Sequence, residues 1–298
     1  MKLKAAFAVL FLISLFIFSS CPDGIEPPPP PPDDTTTTLA SLSFEHDGLT
    51  RRYSIYLPEN LPANAPLIFV LHGLYQSRTD MYPFGFDQIA DTAGFAVCYP
   101  QGTISNRGSS HWNARFDQSF TTVNDIGFLS ELAQFLQQEH DLDPNRTFCC
   151  GLSNGGFMSY TLACETSDVF KAIAPVAGLM SDYTWNNCTP IIPIPVLHFH
   201  GLDDADVPID GDVSAYFGFG GEPPLDHIIS YWATLNNCTT TETVTISTNT
   251  TAYYHRNGTG GNEVWCYLIS NHAHKWPVTG DNSGINAAEV IWEFFRKY

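Results

Sequence analysis

Residues 147–156 read Thr147-Phe148-Cys149-Cys150-Gly151-Leu152-Ser153-Asn154-Gly155-Gly156. The first four form a continuous strand-like run, the mark of a strand buried on both faces. A helix-like run follows Gly156. Between them stands G-x-S-x-G, which at a strand-to-helix turn makes a nucleophile elbow. Such a turn holds its serine in a strained backbone conformation. Gly151 and Gly155 lack side chains, so neighbouring segments can approach closely. The helix N-terminus favours negative charge forming nearby. The same pattern also occurs in plain glycine turns; the strand before and the helix after favour the elbow.

Working outward, the chain alternates strands with helices. Residues 52–57 alternate like a strand. Residues 67–71 (LIFVL), 95–99, 172–176 and 196–199 read as short buried strands, and residues 263–269 as a later one. Phe128, Leu129, Leu132, Phe135 and Leu136 recur at helical spacing, and residues 285–295 read as a closing amphipathic helix. The fold class expected is α/β, a mainly parallel central sheet with helices on both faces. Ligands then bind beyond the carboxyl ends of the strands. The loop over residues 101–124 is long and carries Trp112, a length often associated with function.

A serine hydroxyl needs a base, and the base needs an orienting acid. The strand PVLHFH leads into Gly201-Leu202-Asp203-Asp204-Ala205-Asp206-Val207-Pro208, where Asp203, Asp204 and Asp206 compete as the acid. Ser270-Asn271-His272-Ala273-His274-Lys275-Trp276-Pro277 follows the strand ending near Ile269 and offers His272 and His274 as bases. Spacing alone chooses among neither set. An oxyanion hole needs two backbone N–H groups. The residue after the serine, Asn154, supplies one. His72-Gly73-Leu74, at the end of LIFVL, supplies the other through Leu74, because Gly73 lets the backbone turn tightly.

These segments together resemble carbohydrate esterase family 1, the α/β-hydrolases that include feruloyl esterases, acetylxylan esterases and polyhydroxybutyrate-depolymerase-like esterases. The carriers of the resemblance are LHGL at 71–74, GFAVCYPQG at 94–102, HWN at 111–113 and NDIGFL at 124–129. They continue with GLSNGGFMSYTLAC at 151–164, AIAPVAG at 172–178, HGLDDADVP at 200–208 and HKWP at 274–277. The resemblance covers about residue 43 to the C-terminus. It implies Ser153 as nucleophile, Asp204 as acid and His274 as base. It also implies Trp112, Trp276 and His72 as substrate-binding residues, a Cys164–Cys188 disulfide and a second bridge between Cys238 and Cys266. The family usually has glycine just before its catalytic histidine, where this chain has Asn271-His272-Ala273. The activity implied is hydrolysis of feruloyl or acetyl esters on plant cell-wall polysaccharide such as xylan. The rivals are hydrolysis of poly(3-hydroxybutyrate) or its oligomers, and glycan binding without turnover. No metal or organic cofactor is expected.

The N-terminal region reads as an address. Lys2 and Lys4 precede an apolar run over residues 5–18, too short for an ordinary membrane span and right for a signal peptide over residues 1–20. Ser19-Ser20-Cys21 resembles a lipobox, which makes Cys21 the expected lipidation site. Residues 21–38 include six consecutive prolines and read as a stiff tether. Residues 39–298 then form one catalytic domain. The 298-residue chain carries 13 Lys+Arg against 31 Asp+Glu, a net charge of −18, and losing Lys2 and Lys4 makes it −20. That acidity excludes a nucleic-acid role and suits a neutral substrate. The expected partners are an ester substrate and a membrane reached only through a lipid anchor; a monomer is expected. Of eight cysteines, Cys98, Cys149 and Cys150 sit in apolar strands and are expected as buried free thiols.

Overall fold

The computed structural model describes residues 39–116, 121–211 and 221–298. The expected signal peptide, Cys21 and the proline tether lie outside the described residues. In chain order the elements are β1 (Leu42–His46), β2 (Leu49–Tyr56), β3 (Ala65–Leu71), a 3-10 turn (Arg78–Phe84), α1 (Phe86–Ala93), β4 (Ala96–Pro100), the two-residue β5 (Thr103–Ile104) and β6 (Ser110–His111), and α2 (Asp125–Glu139). They continue with β7 (Leu142–Leu152), α3 (Asn154–Glu165), β8 (Ala172–Val176), α4 (Asp182–Asn187), β9 (Val196–Gly201), α5 (Leu225–Leu235), β10 (Thr240–Thr245), β11 (Thr250–Arg256), β12 (Val264–Ile269) and α6 (Ala287–Phe295).

Ten strands form one sheet in the order β1-β2-β4-β3-β7-β8-β9-β12-β11-β10. The six central strands, β4 to β12 in that order, are parallel. Antiparallel hairpins close both sides, β1–β2 against β4 and β10–β11 against β12. Every residue of β3, β4, β8 and β9 is buried, as continuous apolar runs require when helices cover both faces. Alternation along β3 sorts the core. Leu67, Phe69 and Leu71 face the layer of α2, α3 and α5, whereas Ile68 and Val70 face the layer of α1 and α6. Each such fully buried side chain contributes about 1.5–3 kcal/mol through removal from water.

The buried strands lie where their apolar runs put them. The closing helix begins at Ala287 because Asn286 caps it, accepting from the Ala288 N–H at 3.0 Å. Phe135 departs from the expected buried stripe of α2: it is exposed and packs on Phe44 at 5.5 Å between ring centroids. β1, α1, α4, α5 and the β10–β11 hairpin carried no such signal. β10 is threonine-rich and almost wholly exposed, so it has no apolar period to read.

The Cys164–Cys188 disulfide is present, joining α3 to the end of α4. The expected Cys238–Cys266 bridge is not: both are free thiols. The Cys238 thiol lies against the Asn262 carbonyl at 3.9 Å and near the Val264 backbone, at the start of β12. Cys266 stands two residues further along that strand, a rise of roughly 6.6 Å. Cys98, Cys149 and Cys150 are buried free thiols.

Candidate active site

β7, β9 and β12 are parallel members of one sheet, so their carboxyl ends meet at one edge. Ser153 follows β7, Asp204 follows β9 and His274 follows β12. The elbow is sharp: Ser153 has φ +53° and ψ −117° and caps α3. Its N–H donates to the Val176 carbonyl at 2.8 Å, and its carbonyl accepts from Phe157 at 3.0 Å. The glycines are required sterically. A Cβ on Gly155 would sit 2.5 Å from the Leu71 carbonyl oxygen, and one on Gly178 would sit 2.4 Å from that of Ser153. The end of β3 and the loop after β8 therefore press directly on the turn, which over-determines a backbone conformation that is otherwise unfavourable.

Asp204 is the aspartate of the three that reaches a histidine. Its buried Oδ2 accepts from His274 Nδ1 at 2.7 Å. Its Oδ1 accepts from the Asp206 and Val207 amides at 3.0 and 2.8 Å. That bond uses Nδ1 of His274 and not Nε2, and the ring is partly open to solvent. His274 follows β12, and β8 and β9 separate that strand from β7. Its loop lies across the end of β9. Asp203 N–H donates to the His272 carbonyl at 3.1 Å, and a Cβ on Gly201 would sit 2.1 Å from that same oxygen. His272 is buried inside the loop, its ring nitrogens 3.1 Å from Asn282 Oδ1 and 3.2 Å from the Lys275 carbonyl.

Neither of the two expected oxyanion amides meets a hydrogen-bond acceptor among the described residues. The N–H groups of Gly73, Tyr75 and Gln76 go to Gln76 Oε1, the Ser110 carbonyl and the Gly73 carbonyl. Among the described residues the Leu74 N–H between them meets no acceptor. Asn154 N–H lies in the first turn of α3, where no intrahelical acceptor exists.

His72, Trp112 and Trp276 are placed differently from the expectation of substrate contact. His72 is fully buried. Its Nδ1 donates to the Gly73 carbonyl at 2.7 Å, and its Nε2 accepts from Gly102 N–H at 2.9 Å. Burial lowers its pKa to about 4, so the ring is a neutral clamp beneath the Leu74 loop. Trp112 is fully buried and donates Nε1–H to the His72 carbonyl at 3.0 Å. Its backbone is gripped by the Asn154 side chain, which accepts from Trp112 N–H at 2.7 Å and donates to the Trp112 carbonyl at 3.0 Å. Trp276 is 3% exposed and stacks on Phe84 at 4.7 Å. His72 and Trp112 thus brace the Leu74 loop and Asn154 from behind, and Trp276 packs into the layer of α1 and α6.

Several supporting residues escaped the sequence reading. Arg51 and Asp125 form a buried ion pair at 2.6 Å, and Asp125 also accepts from Asn113 N–H at 2.7 Å, which pins the loop carrying Trp112. The HWN and NDIG segments were the available signal, but nothing local said that they meet. On β9, His200 lies 2.8 Å from the Val207 carbonyl, His198 lies 3.0 Å from His200, and Tyr160 donates to His198 at 2.9 Å. Burial lowers the pKa of both histidines, so this chain beneath the acid is uncharged.

Chemically, a serine at a helix N-terminus, an oriented imidazole and two amides without an acceptor among the described residues suit attack on a carbonyl with stabilisation of the resulting oxyanion. A model of the prolyl oligopeptidase family matches residues 86–194, a stretch that includes Ser153 and ends before Asp204. The chain is 34% identical over 125 residues to poly(3-hydroxyalkanoate) depolymerase C of Paucimonas lemoignei, covering 41% of this chain and 30% of that one. It is 24% identical over 255 residues to probable feruloyl esterase C of Aspergillus niger, covering 82% and 83%. In four of the curated relatives the shared stretch spans only 22% to 53% of their length. Among solved structures, an acetyl xylan esterase from Aspergillus awamori superposes with a TM-score of 0.64 at 15% identity, over 88% of this chain and 100% of that chain. At that identity the likeness speaks for the fold.

Proposed function

We propose that this chain, an α/β-hydrolase by its strand order and the turn that carries Ser153, is an exported serine esterase. Its substrates on this reading are feruloyl or acetyl esters of a neutral plant cell-wall polysaccharide such as xylan. The observation that carries the catalytic part is the 2.7 Å bond between His274 Nδ1 and Asp204 Oδ2 on the edge that presents Ser153. It sets the tautomer a general base needs. His274 Nε2 takes the Ser153 proton as Oγ attacks the ester carbonyl. Asp204 stabilises the imidazolium, and the Leu74 and Asn154 amides hold the oxyanion. His274 then protonates the departing alcohol, and water repeats the sequence on the acyl-enzyme. The Cys164–Cys188 disulfide supports maturation in an oxidising compartment. Display on a lipid anchor at Cys21 belongs to the same proposal.

Side-by-side hydrolysis of methyl ferulate, acetylated xylan and hydroxybutyrate oligomers tests the substrate class, with Ser153→Ala as the inactive reference. Turnover of the first two by the wild type is expected. Preference for the oligomers would move the reading to polyester hydrolysis, as the Paucimonas lemoignei relative's name suggests for that protein. Equal activity in Ser153→Ala would overturn the triad assignment, and no turnover by the wild type on any ester would leave a glycan-binding role.

A further inference from the structure

The groove beyond the ends of β2 and β4 takes no part in the mechanism above. It encloses about 550 Å³, within the roughly 300–1,000 Å³ typical of small-molecule sites. Topology fixes its position. Tyr53 pairs with Pro100 in the antiparallel β2–β4 ladder, so Arg51 and Arg52 lie at the carboxyl end of β4, on the catalytic edge. Only β3 stands between β4 and the elbow strand β7. The loop after β3 supplies both the Leu74 amide and the groove residue Tyr75.

Three features indicate what the groove would hold. Tyr75 is 67% exposed at φ +63°, a left-handed conformation uncommon for a bulky residue. Its N–H donates to the Ser110 carbonyl at 3.0 Å, and Ser110 Oγ donates to the Gln76 carbonyl at 2.6 Å. The backbone beneath the ring is therefore fixed. The exposed Ile104 lines the same groove, giving apolar surface that suits the C–H face of a pyranose. Second, two buried polar atoms of lining residues, Arg51 Nη1 and Thr103 Oγ1, have no partner among the described residues. The Arg51 side chain is only 2% exposed. Both atoms are closed to solvent, and the Arg51 guanidinium lies 3.8 Å from the Phe128 ring centroid, so the hydroxyls of a bound sugar would meet the other polar lining groups, among them Gln76, Ser77 and Gln101. Third, the charges balance: Asp125 meets Arg51, and Asp80 offsets Arg52. A neutral polyol suits the groove better than an anion.

We propose that this groove is a subsite for unesterified pyranose units of a neutral glycan main chain, adjoining the esterified unit whose carbonyl lies at Leu74 and Asn154. This rests on the glycan-ester reading above and deepens it. Titration calorimetry of the Ser153→Ala protein with xylotetraose, which carries no ester, reads the groove alone. The expected result is millimolar binding, weakened about tenfold by Tyr75→Asn; Asn tolerates the left-handed backbone. Replacing Tyr183, an exposed tyrosine of another pocket, leaves binding unchanged. Absence of binding by the Ser153→Ala protein, or equal binding after Tyr75→Asn, overturns the subsite.

Kinetics supply the second readout. In the otherwise wild-type enzyme, Tyr75→Asn lowers kcat/KM on acetylated xylo-oligosaccharide relative to an aryl acetate about tenfold, through KM. An unchanged ratio in an enzyme that does hydrolyse the glycan ester overturns the subsite and leaves the proposed function standing. A wild type that cleaves aryl acetate and no glycan ester overturns the glycan reading itself, with the subsite still decided by the titration.

Discussion

Close main-chain packing alone holds Ser153 in place, whereas at Asp204 and His274 hydrogen bonds to side chains are added to such packing. At the elbow, carbonyls of β3 and of Ser153 itself approach glycines so closely that a single added methyl collides at 2.4–2.5 Å. At the other half of the edge, the acid and base are placed by a 2.7 Å side-chain bond and by two amides on Asp204 Oδ1. A steric hold fails when bulk is added; a hydrogen-bonded hold fails when a donor or acceptor is lost. The two halves should therefore respond to different kinds of substitution.

The largest expected effect belongs to the base. His274→Gln lowers kcat on an aryl acetate by about 10⁴–10⁶-fold. His272→Gln lowers stability by about 1–3 kcal/mol, through its lost bonds to Asn282 and Lys275, and leaves kcat per folded molecule within about tenfold. Steady-state rates beside urea unfolding separate the two, and the reverse ranking would make His272 the base. Next, Asp204→Asn keeps the shape but favours the wrong imidazole tautomer, and kcat drops about 10⁴-fold with an unchanged circular dichroism spectrum.

At the elbow the expected signature is different. Gly155→Ala costs about 1–3 kcal/mol of stability through overpacking, and activity falls with it because the displaced β3 end carries the Leu74 loop. An unfolding midpoint and a kcat both equal to wild type would show that close packing is not what holds Ser153. The last expected effect is a pH dependence. Buried His72 has its pKa lowered from 6.5 to about 4. Between those values the unfolded chain binds the proton and the folded chain does not, so this contribution to stability is complete above about pH 6.5 and lost as pH falls toward 4. Melting curves from pH 7 to 4 should show a shallower slope for His72→Asn than for wild type.

The parts legible in the chain were those with local causes. LIFVL reads as a buried strand because every position is apolar, and the elbow shows itself because only glycine fits beside the serine. The outer strand β10 was not legible, since an exposed threonine-rich strand lacks an apolar period. Nor was the covered state of Trp112 and Trp276: an indole is equally suited to a pocket wall and to the core behind it. The same limit applied to Cys238 and Cys266, whose offset along β12 is a matter of register between α5 and the sheet.

Composition and pattern by themselves determined an acidic α/β chain, a parallel sheet under two helical layers, and a serine on a glycine turn. They also narrowed the acid to three neighbouring aspartates and the base to two histidines. The family resemblance implied Asp204 and His274, and the tertiary structure shows that this pair meets and why. Asp204 and His274 are seventy positions apart, and their contact exists because β9 and β12 are neighbours and the base loop folds back over Gly201. The same applies to Arg51 with Asp125, Asn154 with Trp112, and the groove beside Tyr75. Each joins segments distant in the chain, and distance in sequence carries no information about approach in space until the sheet order is set.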